Sequence, residues 1–283
     1  MDAINLPYDR FPDHEREGVL FYNFVAKAEE FRGRCVLHTN AISLVMSGCK
    51  TMTFADREVR IRPEEFHMMS AGNCIARIDI DTARKFQSIL IFFSDAALSE
   101  IFMKDPDLQG RKVDGERRSY LSFNKDPFVL NYIQSLALLL QPGEDFTVEM
   151  RQVKFEELML YLFRKYPEQM LAFRGKSDVN FNDLQIREAV ETNLYRNITL
   201  EELAFLCNLS LSTFKRRFLK IYGAAPSKWI MDRRIEQAKK LLIHHREKPG
   251  EVYPKVGYDN HSSFSKAFKK ASGLTPRAFV ERN

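Results

Sequence analysis

Apolar and polar positions along the chain change period once, about a third of the way through. From about Val19 to Phe93 they run in short alternating stretches. "CVLHTNAISLVMSG" is rich in β-formers and breaks at Thr39-Asn40 and Ser47-Gly48. "KTMTFADREVRIRPEEFHMMSAGN" alternates between turn residues at Ala55-Asp56-Arg57, Arg62-Pro63 and Ala71-Gly72-Asn73, and "KFQSILIFFS" closes the series. Period-two runs bounded by turn chemistry are half-buried strands, and several of them roughly 8–12 residues apart predict a small antiparallel barrel or sandwich. Phe54, Phe66 and Phe92 are expected to point inward, filling a core or lining a pocket.

Beyond the strands the period becomes helical. Phe128, Tyr132, Leu136 and Leu139-Leu140 share one face, and Pro142-Gly143 stops the run. Val148, Val153, Phe155, Leu158 and Leu162 begin another. The short Gln141–Phe146 link predicts an antiparallel helix hairpin over 126–141 and 147–166. The second helix carries large apolar residues on more than one face. One face is expected to pack on the strands and another on a second copy of the chain, making a homodimer. The polar, glycine-containing stretch Phe173–Asp183 predicts a boundary: a domain over 1–173, a linker over 174–182 and a domain over 183–283.

The last domain repeats itself. "CNLSLSTFKRRFLKIYGAAPSKWI" and "GYDNHSSFSKAFKKASGLTPRAFV" align at a shift of fifty residues. Ser212, Phe214, Phe218, Lys220, Gly223 and Pro226 fall on Ser262, Phe264, Phe268, Lys270, Gly273 and Pro276. In the first copy Thr199 and Glu202 form a T-x-x-E capping box, and Asn208 is a residue that tolerates a left-handed turn. Ser210 then caps a helix that buries Phe214, Phe218 and Ile221 and exposes Ser212, Lys215, Arg216 and Lys220. Helix, tight turn, and a second helix with a cationic face predict a helix-turn-helix whose second helix enters a major groove. Between the copies, "PSKWIMDRRIEQAKKLLIHH" reads as one long helix, a rigid strut. An amphipathic helix with basic residues outside is commonplace by itself; two in one domain are not.

Charge sharpens this picture. The 283 residues carry 43 Lys+Arg and 38 Asp+Glu, a net charge of +5. From Ser177 onward there are 19 basic and 12 acidic residues, so the last third is net positive and the rest slightly negative. That asymmetry favours a polyanionic partner for the repeat. No apolar run reaches membrane-spanning length, and the acidic start lacks a signal-peptide core, so no membrane partner and a cytoplasmic location are expected. The four cysteines are scattered and expected to be reduced and mostly buried. His38 stands alone and His67 is distant from it, so no metal site is predicted; Glu64-Glu65 reads as a solvated loop. No phosphate loop, nucleophile elbow or catalytic triad is present, which argues against an enzyme and against a bound cofactor.

With "IEQAKKLL" followed by "VGYDNHSSFSKAFKKASGLTP", the chain resembles the AraC/XylS family of bacterial transcription regulators over about 100 residues, Asn182–Asn283. The resemblance implies an α+β chain. It comprises an antiparallel cupin-like β-barrel with a two-helix antiparallel hairpin for sensing and dimerisation, then an all-α domain of two helix-turn-helix units joined by a long helix. It implies binding to double-stranded promoter DNA, contact with RNA polymerase, and control by a small-molecule effector or by none; activation is favoured over repression. The family's base-reading positions fall on Ser212, Lys215 and Arg216 in the first unit and on His261, Ser262, Ser265 and Lys266 in the second. Lys220, Lys228, Lys269, Lys270 and Arg277 are expected on phosphates, adding affinity and salt dependence without sequence choice. An architectural binder that bends DNA without reading it is the competing class. The chain departs from the family pattern at Tyr253, where a small residue is usual, and at Pro254. An interior proline costs about 3 kcal/mol in a helix, so this helix is expected to begin near Gly250 and to run only from about Glu251 to Val256, with Tyr253 pushing the helix outward or reaching over its neighbour.

Overall fold

The computed structural model describes residues 3–11, 18–26, 31–79, 86–104, 118–174 and 182–282. The chain divides into two compact units, one of Met1–Thr53 and Glu58–Val179 and the other of Phe54–Arg57 and Asn180–Asn283. The expected linker lies, except for its two ends, outside the described residues.

Ten strands make up the first unit's sheets: β1 (Ile4–Leu6), β2 (Leu20–Ala26), β3 (Phe31–Leu37), β4 (Asn40–Ser47), β5 (Cys49–Thr53), β6 (Glu58–Ile61), β7 (Glu65–Met69), β8 (Gly72–Asp79), β9 (Phe86–Phe93) and β10 (Tyr120–Asn124). They form two five-stranded sheets ordered β1-β3-β8-β5-β6 and β10-β7-β4-β9-β2. All neighbours are antiparallel except β1 and β3. Among the described residues no ladder joins the two sheets, so the expected barrel is not closed. The first sheet ends on strands of three and four residues, which leaves few backbone groups to continue the ladder around.

Helices cover one face of the second sheet: α1 (Asp95–Met103), α2 (Pro127–Leu139), α3 (Val148–Lys165) and α4 (Pro167–Arg174). Asp126 and Thr147 cap α2 and α3 by accepting from Val129 N and Met150 N. Alternation along each strand decides what meets the helices. Ile42, Leu44, Phe66, Met68, Ile89, Ile91 and Phe93 share a core with Tyr132, Leu136, Phe155, Leu158 and Leu162. Phe66 therefore faces the helices and not the interior expected for it. Phe54 is half-buried beyond the end of β5. Phe92, one residue out of phase with Ile91 and Phe93, lies on the opposite face, as alternation requires.

That opposite face is partly polar. Ser43 stands cross-strand from His67 on one side and Leu90 on the other. Its hydroxyl lies 3.1 Å from Ser88 Oγ and accepts from Lys50 Nζ at 3.3 Å. His67 is 1% exposed, and its Nδ1 lies 2.5 Å from the Tyr120 hydroxyl. Burial, reinforced by the positive charges of Lys50 and Lys125, holds its pKa down at about 3.

This burial makes the first unit acid-sensitive. An unfolded histidine takes a proton near pH 6.5, whereas folded His67 does not until about pH 3. Stability from this group is complete above about pH 6.5 and falls as pH drops towards 3, by about 1.4 kcal/mol per pH unit. Urea midpoints followed by near-ultraviolet circular dichroism should show this slope, and His67→Asn should flatten it.

Candidate nucleic-acid interface

Seven helices form the second unit: α5 (Asn182–Asn193), α6 (Leu200–Leu206), α7 (Leu211–Tyr222), α8 (Pro226–Ile243), α9 (Pro249–Lys255), α10 (His261–Ser272) and α11 (Pro276–Arg282). The caps follow the sequence closely. Glu202 N donates to Thr199 Oγ1 at 3.1 Å, and Thr199 N donates to the Glu202 carboxylate at 2.9 Å. Asn208 takes a left-handed φ of 55°. Ser210 caps α7 and Asn260 caps α10. Gly223 and Gly273 end those helices at φ of 68° and 77°, positions that would strain a residue carrying Cβ.

Two cores result, and α8 belongs to both. Its first turns place Trp229 and Ile230 against the core of α5, α6 and α7, built on Ile186, Val190, Leu203, Phe214 and Phe218. Trp229 packs within 4.4 Å of the Tyr222 ring centroid and 5.8 Å of Phe218. Later turns place Ile235, Ala238 and Leu242 in a second core with Val252, Val256, Phe264 and Phe268. The phenylalanines are fully buried and are framework, not platforms for bases.

Outside these cores lie the cations. Ser212, Lys215, Arg216 and Lys220 are exposed on α7, and His261, Ser262, Lys266, Lys269 and Lys270 on α10. The two faces match because the two apolar stripes match. Ser265 differs from expectation: it is half-buried, and its hydroxyl lies 3.4 Å from His261 Nδ1. Ser212 lies 3.1 Å from the cap hydroxyl of Ser210. Lys228 is exposed at the start of α8. Arg277 is exposed but paired with Glu281 at 2.9 Å, a surface contact worth about 0–1 kcal/mol.

The second copy is an imperfect repeat. α6 leads to α7 through Cys207-Asn208-Leu209-Ser210, while α9 leads to α10 through Val256-Gly257-Tyr258-Asp259-Asn260, one residue longer. α9 also starts two residues earlier than expected, with Pro249 at its first position and Glu251 accepting from Lys248 N at 3.0 Å. Pro254 thus falls in the last turn, not the first. It has no N–H to donate to Gly250, and beyond it the helix closes on tighter bonds, Val256 N to Tyr253 O and Gly257 N to Pro254 O. The helix is only seven residues long, so the loss is confined to its end. Tyr253 does reach over its neighbour: its ring meets His261 edge-on at 6.2 Å.

A clamp that the repeat does not foretell joins the two units. Arg234, halfway along α8, donates to Leu194 O at 2.7 Å, Arg196 O at 2.6 Å and Gly257 O at 2.8 Å. The first two carbonyls precede α6 and the third lies in the turn before α10. Tyr258 stacks on the guanidinium at 5.7 Å. Asp259, which matches Leu209 of the first copy, accepts from the Asn197 side chain. Gly257, at φ of 80°, is needed here: a Cβ would stand 2.8 Å from both Arg196 O and the Arg234 guanidinium carbon. Gly257→Ala should cost about 1–3 kcal/mol in urea unfolding of the full chain. Arg234→Met, which strands three carbonyls, should cost about 2–4 kcal/mol and reduce amide protection at both α6 and α10.

Comparison with known proteins agrees with this geometry. Residues 40–173 match the ExsA N-terminal regulatory domain, and residues 203–282 match a helix-turn-helix domain. The virulence regulon transcriptional activator VirF of Yersinia enterocolitica is 26% identical over 166 residues, covering 59% of this chain and 61% of that one. The thermoregulatory protein LcrF of Yersinia pestis is 28% identical over 156 residues, 55% of this chain and 57% of that one. The chain thus spans about three fifths of the length of these relatives. A solved structure of ToxT from Vibrio cholerae aligns over 94% of this chain and 98% of its own, with 14% identity and a TM-score of 0.41. With the regulatory-domain match, the helix-turn-helix match and the relatives together, the chain is similar to transcription regulators of the AraC/XylS type.

Proposed function

We propose that this protein is a sequence-specific transcription activator that reads two successive major grooves with one chain. The observation that carries the reading is the repeat: two recognition helices, each with a buried phenylalanine stripe and an exposed cationic face, fastened to a common strut. The eighteen residues of α8 give about 27 Å, near the roughly 34 Å of one DNA turn. Ser212, Lys215 and Arg216 read bases from α7, and His261, Ser262, Ser265 and Lys266 read them from α10. Arg216 and Lys266 suit guanine O6/N7. Lys220, Lys228, Lys269, Lys270 and Arg277 neutralise phosphates. Base reading by α10 brings the base edge beside the Tyr253 ring, which meets exposed His261 edge-on.

The first unit, a cupin-like sensory and dimerisation domain in this reading, works in the cytoplasm beside RNA polymerase. It pairs with a second copy through α2 and α3, and a small-molecule effector can bind between its sheets. Leu130 and Leu138 on α2 and Val148 and Val153 on α3 are exposed apolar side chains, which a dimer would cover. Domains over 1–173 and 183–283 with a linker over 174–182 fit this division of labour.

In-vitro selection of duplexes by the full-length protein tests the DNA reading. Two specified blocks about ten base pairs apart are expected. Arg216→Ala should relax preference at one or two positions, at about 1–3 kcal/mol each. Lys220→Ala should weaken all sequences evenly and lower the salt slope by about one. An even loss from Arg216→Ala as well would favour an architectural binder. For the dimer, sedimentation at micromolar concentration should give a dimer that Val153→Glu converts to monomer; a monomeric wild type would end that part of the reading.

A further inference from the structure

Three side chains of the first unit hold charge or reactivity that DNA binding does not use. Cys35 on β3 and Cys74 on β8 stand directly opposite each other across an antiparallel pair. Both are free and buried, and as directly opposed residues they turn their side chains to the same face of the sheet. Opposed Cα atoms in such a ladder lie about 4.5 or 5.5 Å apart, and both distances fall inside the roughly 4.4–6.8 Å that a disulfide spans. Forming the bond therefore asks little of the backbone.

Lys50 is the third. It sits on β5, the other neighbour of β8, and is 8% exposed. Its ammonium reaches Ser43 Oγ and lies 5.8 Å over the Phe86 ring. Among the described residues no carboxylate pairs with it. A buried ammonium without a counter-charge is unfavourable, and burial lowers its pKa accordingly. Lys50 stands cross-strand from Ile78, so alternation puts its side chain on the face of β8 that carries Cys74 and, opposite it, Cys35; there its charge acts on the two thiols. The hydrogen bond from Cys74, and then Lys50, hold the Cys35 thiol below its ordinary range, while Cys74 is pushed up. Cys207, buried without a cation in the second unit, is pushed up to about 12 by burial alone. Thiolate character is what makes a cysteine reactive, so these three cysteines are chemically unlike.

We propose that Cys35 and Cys74 form a peroxide-oxidisable pair, with Lys50, on the same face of the sheet, as its positioning charge. The Cys35 sulfur attacks one oxygen of hydrogen peroxide and the O–O bond breaks. The departing hydroxide takes up the proton that Cys35 had lost and leaves as water. Cys35, oxidised by two electrons, is then a sulfenic acid. The Cys74 sulfur attacks it, the S–O bond breaks, and the hydroxyl leaves as a second water with the Cys74 proton. Two thiols and one peroxide give one disulfide and two waters. Such bonds in a reducing compartment are transient and redox-sensing.

The test uses the reduced full-length protein, treated with hydrogen peroxide, alkylated, digested and analysed by mass spectrometry. A peptide pair linking Cys35 to Cys74 is expected, with free thiols falling from four to two, Cys207 untouched and full reversal by dithiothreitol. Lys50→Met should slow the linking at neutral pH by about tenfold, and Lys50→Arg should keep most of the rate, with circular dichroism confirming the fold. In Cys74→Ser, dimedone should trap the Cys35 sulfenic acid. Four intact thiols after peroxide, or oxidation of Cys49 before Cys35, would overturn the pair. An unchanged rate in folded Lys50→Met would overturn the role of the lysine, and an untrapped Cys35 would do so for the order of attack.

Discussion

The DNA-binding unit depends on where one guanidinium goes. α8 alone cannot fix the relation between two helix-turn-helix units, because each core grips only its own half of the helix. Arg234 supplies the missing constraint by holding carbonyls from both units at once. Burial opposes its charge, while Tyr258 and Asp259 support it. The planar fork matters: an ammonium could satisfy these three carbonyls only as a point charge, without fixing direction. Gly257 is the necessary counterpart, since any side chain there would occupy the space of the clamp.

The same arrangement explains why the second unit departs from the first. Its turn is one residue longer because α9 ends one position early, and Asp259 in that turn bonds to Asn197 beside the clamp. The two copies share caps, apolar stripes and cationic faces. They differ where they must meet each other, which is a demand that a perfect repeat could not meet from one sequence. Pro254 is tolerated in this setting because α9 is short and its end is already closed by tighter bonds.

Much of this was legible in the sequence. The helix hairpin, the capping box, the left-handed Asn208 and both glycine caps announce themselves through local chemistry. The elements that were not legible lack such signals. β1 is three residues in a parallel pair, and β10 stands apart from the alternating run. α1 and α4 are short helices with mixed faces beside stronger neighbours. Phe66 was misplaced because both faces of the second sheet are buried, so alternation gives the phase of a strand but not which side the helices take. Arg234 was hidden for a different reason: in a long helix rich in Lys and Arg, one more cation reads as solvent-facing. The exposed polar and cationic positions of α7 and α10 were carried over one by one from a family pattern, and among them only Ser265 sits deeper than that pattern implies.

Trp229 has a consequence of its own. It is the only tryptophan in the chain, and it belongs to the first core, edge-on to Phe218 and beneath the guanidinium of Arg233. The matching place in the second core holds Phe279. Indole emission from this protein is therefore a local optical reporter: excited at its red edge, it registers the first reading head alone, while the second, the clamp's other jaw and the sheets remain dark.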